Sequence, residues 1–469
     1  MTKAINLVLG IFILFAGWQF SESIVKFHAY RDYANASLCL LFFSVAVVLA
    51  FSLNRSPNFK RNLVGFLISL SGSVLIVELS LGFLVSTADL DQQRRMIAAR
   101  NDIDFDVRDR FEVVENFRRR GERYYPTVHP GSFLNRYLMV NGKPVLPLSG
   151  IAGVKTLMCN ESGTYVDYFS DEYGFNNPTG SWSAPVIDAV FVGDSFTQGN
   201  CVFKAEGFVD RVREHLSHTL NLGIGGNGPL IELATLEEYL TEKRLRYVFW
   251  MYYEGNDLKE LWEEKSDALL GRYLAEKPFS QNIVANKDAI NRELTAFVEK
   301  RFQERKGLQQ LEIMPKGPLE LLRLPNIKAH LKNSAAAFSK KEAMEEFDLV
   351  VLREILAKAK LFVQGRGGEL VFVYLPEFGR YNDQRSSGAI MKEKMIELVR
   401  GLGVNVLDMD LAFRRFPNPR VFFPFELPGH YNAEGNRMIA AEIKGYLLKA
   451  EASGQAAAGK ISWQRAAGS

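Results

Sequence analysis

The feature that most constrains the fold of this chain is an alternation, after Pro185, of short apolar runs with segments of helical periodicity. This alternation is typical of parallel strands joined by helices that cover both faces of a sheet. The runs predicted as strands are 186–192, 219–224, 246–253, 369–376 and 404–410. We therefore expect an α/β fold with a doubly wound parallel sheet.

Residues suited to acyl transfer follow the predicted strands. Ser195 follows the first strand, Gly226 the second and Asn256 the third, and His430 lies between the last strand and the last helix. Ligands of parallel sheets bind beyond the carboxyl ends of the strands. Acyl transfer needs a nucleophile, a base and donors for the oxyanion. Ser195 can supply the hydroxyl and one backbone N–H, His430 the base, and Gly226 and Asn256 further donors.

Each of these residues also has an ordinary structural explanation. Ser195 could cap the turn that follows it, and Gly226 could serve close packing. Asn256 could be a turn residue, and His430 could be a buried imidazole whose hydrogen bonds are satisfied. Four such residues at strand ends, in an order suited to one reaction, favour the catalytic interpretation.

The same positions resemble the sequence blocks of the SGNH (GDSL-like) hydrolase family. The matching residues are Gly193-Asp194-Ser195, Gly226 within NLGIGG, Asn256-Asp257, and His430 followed by Asn432 and Gly435. The resemblance covers about residues 186–450, apart from 258–354. It implies a flavodoxin-like sheet, Ser195 and His430 as catalytic residues, and an oxyanion hole of Ser195, Gly226 and Asn256.

The sequence departs from this family beside the histidine. SGNH enzymes usually carry an aspartate two or three residues before it, where this chain has Pro428 and Leu427. Glu426 is the nearest candidate for the orienting acid, with a carbonyl or water as the alternative. The larger α/β-hydrolase class fits less well, because Thr197 stands where its G-x-S-x-G elbow has the second glycine.

Three apolar runs near the N-terminus approach the length of a membrane-spanning helix. They are 4–20, 36–53 and 63–85, and we predict three transmembrane helices in a multi-pass inner-membrane protein. Arg55, Lys60 and Arg61 favour a cytoplasmic second connection, which places the N-terminus inside and the large domain outside. Glu78 in the third run is expected to make a polar contact between helices. A cleaved signal peptide fits poorly, since no small-residue cleavage site follows the first run.

Composition divides the chain into segments. The predicted segments are a membrane domain 1–88, a charged helical stalk 89–130, an SGNH-like domain 131–450 and a disordered tail 451–469. Residues 258–354 are predicted as a solvated helical insertion, with a groove for an anionic polymer as the alternative. The formal net charge of +3, from 57 basic and 54 acidic residues, gives no large field of one sign. Nucleic acid is therefore not expected as a partner.

Two of the three cysteines fall in the part predicted to lie outside the membrane. Cys39 belongs to the second apolar run, whereas Cys159 and Cys201 follow the membrane domain. In an oxidising compartment Cys159 and Cys201 can form a disulfide. A buried free thiol at either position is the alternative.

The leading functional hypothesis is a membrane-anchored, extracytoplasmic esterase that acts on an acyl ester, such as an acyl group on an envelope carbohydrate. One alternative is an O-acetyltransferase of envelope polysaccharide, which would need a membrane partner to supply its acyl donor. The other is a non-catalytic polymer-binding or assembly protein that keeps the fold. The residue pattern predicts no cofactor and no metal.

Overall fold

The structure is a computed structural model that describes residues 2–30, 33–88, 90–275, 278–310, 327, 345–381 and 388–452. The chain divides into two compact units. Residues 1–89 and 301–341 form the helical unit, and residues 90–300 and 342–469 form the sheet unit. The centre of the predicted insertion, 311–326 and 328–344, and the predicted tail from 453 onward lie outside the described residues.

The helical unit contains long N-terminal helices. They are α1 (Thr2–Tyr30), α2 (Tyr33–Ser52) and α3 (Pro57–Ala88). Within the described residues, Lys3–Ser21 and Pro57–Glu78 are long and apolar enough to cross a membrane, and Phe42–Ser52 is a shorter apolar stretch. The three-span, multi-pass arrangement therefore stays a prediction. The Glu78 carboxylate is buried and accepts a hydrogen bond from the backbone N–H of Ile327, at 2.9 Å.

The sheet unit contains the remaining described elements. Its helices are α4 (Leu90–Arg100), α5 (Arg110–Arg119), α6 (Ser195–Gln198), α7 (Phe208–Arg213), α8 (Pro229–Tyr239), α9 (Asp257–Glu264), α10 (Ala268–Ala275), α11 (Lys287–Gln310, which begins in this unit), α12 (Glu345–Gln364), α13 (Gly388–Gly401), α14 (Met409–Phe413) and α15 (Ala433–Ala452). Its strands are β1 (Tyr124–Pro126), β2 (Leu138–Val140), β3 (Lys143–Val145), β4 (Lys155–Leu157), β5 (Asp167–Phe169), β6 (Val186–Gly193), β7 (Thr219–Asn221), β8 (Arg244–Tyr253), β9 (Glu369–Leu375) and β10 (Asn405–Asp408).

The central sheet is parallel throughout, with the strand order β10-β9-β8-β6-β7. Phe191 of β6 is in register with Phe249 of β8, which is in register with Val371 of β9. Numbered from β6 along the chain, this is the 2-1-3-4-5 order of a flavodoxin-like doubly wound sheet. The α/β fold and the five-stranded parallel sheet are thus confirmed. The strand order reverses between β6 and β8, so a ligand crevice is expected beyond their carboxyl ends.

The nearly continuous apolar sequence of β6 follows from burial on both faces of the sheet. Val190, Phe191 and Val192 are all fully buried, although consecutive side chains of a strand point to opposite faces. Phe191 stacks on Phe249 of β8, with ring centroids 4.9 Å apart. Helices α7 and α15 contribute to the same apolar cluster as Phe191. Close packing of the sheet therefore holds the carboxyl ends of its strands in fixed positions.

The segment predicted as a solvated stalk folds as part of the sheet unit. Helix α5 begins with a capping box in which Asp109 and Glu112 satisfy each other's backbone N–H groups. Arg94 of α4 is only 6% exposed, and its Nη2 donates to the carbonyl of Pro428 at 2.7 Å. The charge-rich sequence therefore contains a buried contact to the segment that carries His430.

Candidate active site

Ser195 is presented at the carboxyl end of β6 by a sharp turn into the short helix α6. The Asp194 carboxylate accepts the Phe196 backbone N–H at 2.9 Å and so caps this helix. Gly193 leaves no room for a side chain, because an added Cβ would collide with Thr197 Oγ1 and lie 3.0 Å from Met251 Cβ. The sequence Gly-Asp-Ser therefore fixes the position of the serine hydroxyl beside the sheet switch point.

His430 lies in the connection before α15, within hydrogen-bond distance of Ser195. Its Nε2 is 2.9 Å from Ser195 Oγ. The imidazole packs against the ring of Phe196, with centroids 4.7 Å apart. With a proton on Nδ1, the Nε2 lone pair can accept the serine proton.

Glu161 contacts His430 on the side of the imidazole opposite Ser195. Its Oε1 is 3.0 Å from His430 Nδ1, and its Oε2 accepts the His430 backbone N–H at 2.7 Å. Arg94 Nη2 lies 3.5 Å from the same carboxylate. Burial alone would raise the pKa of Glu161, but the hydrogen bonds and charge of His430, with the charge of Arg94, hold this pKa below its usual value. Glu161 is therefore suited to remain an anion and to fix the imidazole tautomer.

The prediction of Glu426 as the orienting acid is wrong for this structure. The Glu426 carboxylate accepts from Asn418 Nδ2 at 2.9 Å, in a turn where Glu426 has a φ of +54°. His430 instead meets a carboxylate that lies 269 residues earlier in the sequence. No motif around Glu161 marks it as an acid partner of a distant histidine.

A disulfide connects the segment that carries Glu161 with the loop after Ser195. Cys159 and Cys201 are joined, with a Cα–Cα distance of 5.2 Å. Cys201 Sγ lies 3.7 Å from His430 Nδ1. Because Glu161 is only two residues from Cys159, the cross-link places the acid and the serine loop in one covalently closed frame.

Gly226 lies in the glycine-rich turn after β7, with a φ of +76°. Its neighbour Gly225 approaches Ser195 so closely that an added Cβ would be 3.4 Å from Ser195 Cβ. His129 Nδ1 lies 2.5 Å from the Gly225 carbonyl, to which it donates. Burial, which is the largest cause, lowers the pKa of His129 and favours a neutral ring.

This hydrogen bond orients the peptide group between the two glycines. In a trans peptide the carbonyl and the following N–H point in opposite directions. Because the Gly225 carbonyl faces His129, the Gly226 N–H points away from it. This N–H has no acceptor among the described residues. His129, which the sequence analysis did not identify, thus orients one of the predicted oxyanion donors.

Asn256 precedes α9 and lies beside Asp194, as expected of a residue near Ser195. Its Nδ2 donates to Asp194 Oδ2 at 3.2 Å and to Glu260 Oε1 at 3.0 Å. Asp194 Oδ2 is also 3.5 Å from Ser195 Oγ. Both amide hydrogens of Asn256 are therefore directed at carboxylates, so its role as an oxyanion donor remains a prediction.

Carboxylates accumulate behind Asn256, and we call this group the acidic cluster. Its members are Asp194, Glu232, Asp257, Glu260 and Glu264. Burial raises the pKa of every member, to about 9 for Glu260 and to about 8 for Glu264. Repulsion from neighbouring carboxylates adds to this effect at Glu232, Asp257 and Glu260. The sequence analysis identified Asp194 and Asp257 only as parts of motifs and missed the cluster.

No known protein family matches the chain, and no curated protein matches it. Solved structures similar to it include an acetyl xylan esterase, AlAXEase, at 14% identity and a TM-score of 0.31, covering 56% of this chain and 100% of that one. A lipase/acylhydrolase from Enterococcus faecalis aligns at 13% identity and a TM-score of 0.31, over 59% of this chain and 100% of that one. The acetylxylan esterase Axe2 from Geobacillus stearothermophilus aligns at 13% identity and a TM-score of 0.30, over 55% and 92%. Likenesses this distant do not define a reaction, which has to be argued from the site itself.

Proposed function

We propose that this chain is a serine esterase of the SGNH type. The observation that carries the proposal is the position of His430 between two partners, with Nε2 at 2.9 Å from Ser195 Oγ and Nδ1 at 3.0 Å from Glu161 Oε1. A serine, a base and an acid that orients the base form the arrangement of a serine-hydrolase triad. In this proposal Ser195 is the nucleophile, His430 the general base and Glu161 the residue that orients it.

The proposed reaction begins with attack of Ser195 Oγ on the ester carbonyl carbon, while the hydroxyl proton moves to His430 Nε2. The backbone N–H groups of Ser195 and Gly226 stabilise the resulting oxyanion. The tetrahedral intermediate then collapses, and the alcohol leaves with the proton from His430. Water, deprotonated by His430, attacks the acyl-enzyme and releases the carboxylic acid, which restores the serine. Every step uses groups within the Ser195 environment and needs no cofactor.

The proposed setting is the outer face of a membrane. The apolar side chains of α1 and α3 are largely exposed, for example Leu14 at 75% and Ile76 at 67%, which suits contact with lipid. The disulfide between Cys159 and Cys201 suits an oxidising compartment. Together with the topology predicted from Arg55, these features support our proposal that the sheet unit lies outside the cytoplasm. An acyl ester on an envelope carbohydrate is the substrate class we propose.

The position of Glu161 favours an enzyme over a non-catalytic binding protein. The hypothesis of a binding protein was supported by the missing aspartate before His430. Glu161 supplies a carboxylate at His430 Nδ1, where that aspartate would be expected. Transfer to a sugar shares the acyl-enzyme with hydrolysis and differs only in which hydroxyl resolves it. With a sugar acceptor, faster release of the alcohol and an acylated sugar as product would indicate transfer, whereas free acid at an unchanged rate would indicate hydrolysis.

Hydrolysis of an aryl acetate by the purified full-length chain tests the proposed function. Ser195→Ala and His430→Ala should each lower kcat by about 10⁴-fold or more, and the double variant should be little worse, because the two residues act as one unit. Ser183→Ala removes an exposed hydroxyl that donates to the Gly180 carbonyl, and it serves as the matched control. A Ser195→Ala variant with the wild-type rate would exclude this mechanism.

A further inference from the structure

The acidic cluster brings several carboxylate oxygens close together. Asp194, Asp257 and Glu260 each place one oxygen within 4.8 Å of the others. Asp194 and Asp257 are fully buried, and Glu260 is partly buried. In the described part of the chain, no lysine, arginine or histidine forms an ion pair with any member of the cluster. Negative charge in such a place requires either protons or a cation.

A second observation points to a ligand at this position. Both carboxylate oxygens of Glu232 are buried and have no hydrogen-bond partner, and the side chain is fully buried. Helix α8, which carries Glu232, begins against the cluster, because the backbone N–H groups of Gly228 and Leu230 donate to the Glu264 carboxylate at 2.6 and 2.8 Å. The charge of Glu232 also raises the pKa of Asp257, as expected of a neighbour. Asp257 Oδ1, Glu260 Oε2 and Asn256 Oδ1 are buried and unpaired as well. All of these atoms are hydrogen-bond acceptors when the carboxyl groups are ionised.

We propose that the acidic cluster binds a hard divalent cation, of the calcium or magnesium class. Asp194, Asp257 and Glu260 supply carboxylate oxygens, and the unpaired Oδ1 of Asn256 adds an amide oxygen. Oxygen-only sites select such ions over zinc or copper, which prefer nitrogen and sulfur ligands. Glu232 adds negative charge beside these ligands. Of the proposed ligands, Asn256 and Glu260 are partly exposed and mark the side from which an ion can enter.

A bound cation would assist the reaction proposed for Ser195. The cation site itself does not depend on that reaction. Asp194 Oδ2 lies 3.5 Å from Ser195 Oγ, so a negative charge on an intermediate at Ser195 would form next to the cluster. Uncompensated carboxylates there would repel this charge, whereas a bound cation would offset the repulsion. The sequence predicted no metal, because Glu232, Glu260 and Glu264 lie on helices where acidic residues are common.

The test measures binding on the intact full-length protein and does not use activity. After treatment with a chelator and its removal, calcium and magnesium are titrated separately by calorimetry, and the thermal unfolding midpoint is followed with each ion. The wild type should bind about one ion per chain, with a higher midpoint in the presence of the preferred ion. Glu260→Gln, at the partly exposed ligand, and Glu232→Gln should each weaken binding by about tenfold or more, which is ~1.4 kcal/mol.

The matched control is Glu434→Gln, which removes one negative charge at an exposed pair with Arg437 and should bind the ion as the wild type does. Two results would overturn the proposal. One is no binding of either ion at about 10 mM, which lies above the range of weak protein sites and would mean that protons neutralise the cluster. The other is equal binding by the wild type and by the folded Glu260→Gln variant, which would place the ion elsewhere.

Discussion

Glu161 and the carboxylates of the acidic cluster both lie close to Ser195. Glu161 has cationic partners, whereas the cluster is surrounded by other acids. Glu161 is paired with His430 and lies 3.5 Å from Arg94, and its pKa is lowered despite burial. Glu260 of the cluster accepts a hydrogen bond from the Asn256 amide, and burial together with repulsion from neighbouring acids raises its pKa to about 9. Burial by itself raises the pKa of both Glu161 and Glu260. The partners therefore decide whether a carboxyl group near this serine serves as a permanent anion or requires a proton or a cation.

The largest effect on activity is expected from a change at Glu161, the carboxylate that is paired with His430. Glu161→Gln keeps the size of the side chain but removes the charge that orients and stabilises the His430 imidazolium. In serine hydrolases the equivalent loss lowers kcat by about 10⁴-fold, and we expect about 10³- to 10⁴-fold here. Steady-state hydrolysis of an aryl acetate measures it. Glu426→Gln is the matched control and should stay within about twofold of the wild type; the reverse order of the two variants would restore Glu426 as the acid.

Removal of the disulfide allows the contribution of Glu161 to be measured separately from that of the acidic cluster. Cys159→Ser removes the cross-link beside Glu161 and leaves every member of the acidic cluster in place. We expect kcat to fall by about tenfold or more as Glu161 loses its fixed position. Closing a loop with a sequence separation of 42 also stabilises the fold by about 4 kcal/mol in the chain-entropy model. Denaturant unfolding and aryl acetate hydrolysis test both effects, and Cys39→Ser is the control.

Reduction of the wild type should reproduce the effect on activity, and reoxidation should reverse it. Ion binding by the acidic cluster should survive in folded Cys159→Ser. Full activity of this variant would show that Glu161 reaches His430 without the tether.

A smaller effect is expected at His129, which acts through the Gly225–Gly226 peptide. His129→Phe fills the space but removes the donor to the Gly225 carbonyl, so the Gly226 N–H loses its fixed direction. The cost should be about tenfold in kcat with little change in KM, because the oxyanion forms only in the transition state. His129→Gln, which keeps a side-chain donor, should recover part of the loss.

The control for His129 is His218→Ala, just before β7 and therefore at the amino end of the sheet. An equal rise in KM with unchanged kcat in His129→Phe would indicate substrate binding instead of oxyanion positioning.

The smallest effect concerns the pH dependence of stability. The folded-state pKa of Glu161 is lowered, so its ionisation contributes stability that is fully present above the unfolded value, about 4.3. This contribution is lost as the pH falls through the folded pKa. The difference in unfolding free energy between the wild type and Glu161→Gln should therefore be constant near neutral pH and shrink in acid. Urea unfolding at a series of pH values measures it, and a difference that grows in acid would contradict the assigned sign.

The parts of the site that could be predicted from the sequence are those set by local pattern. Ser195 and His430 adjoin predicted elements of the sheet domain, and a parallel sheet brings the carboxyl ends of its strands together. Glu161 is different, because it reaches His430 across 269 residues through an irregular segment. Arg94 was hidden in a charge-rich stretch that resembles a solvated helix. Glu260 and Glu264, four apart on α9, likewise resemble an exposed face until the fold buries them.

The central claim is that Ser195 is a nucleophile activated by His430, and labelling by an active-serine phosphonate tests it most directly. The intact protein should gain about one adduct per chain, and peptide mass spectrometry should locate it on Ser195. The rate of labelling should fall by about 10³-fold or more in His430→Ala, because the serine then lacks its base. Absence of an adduct from folded wild-type protein at high probe concentration, or labelling at the wild-type rate in His430→Ala, would contradict the account.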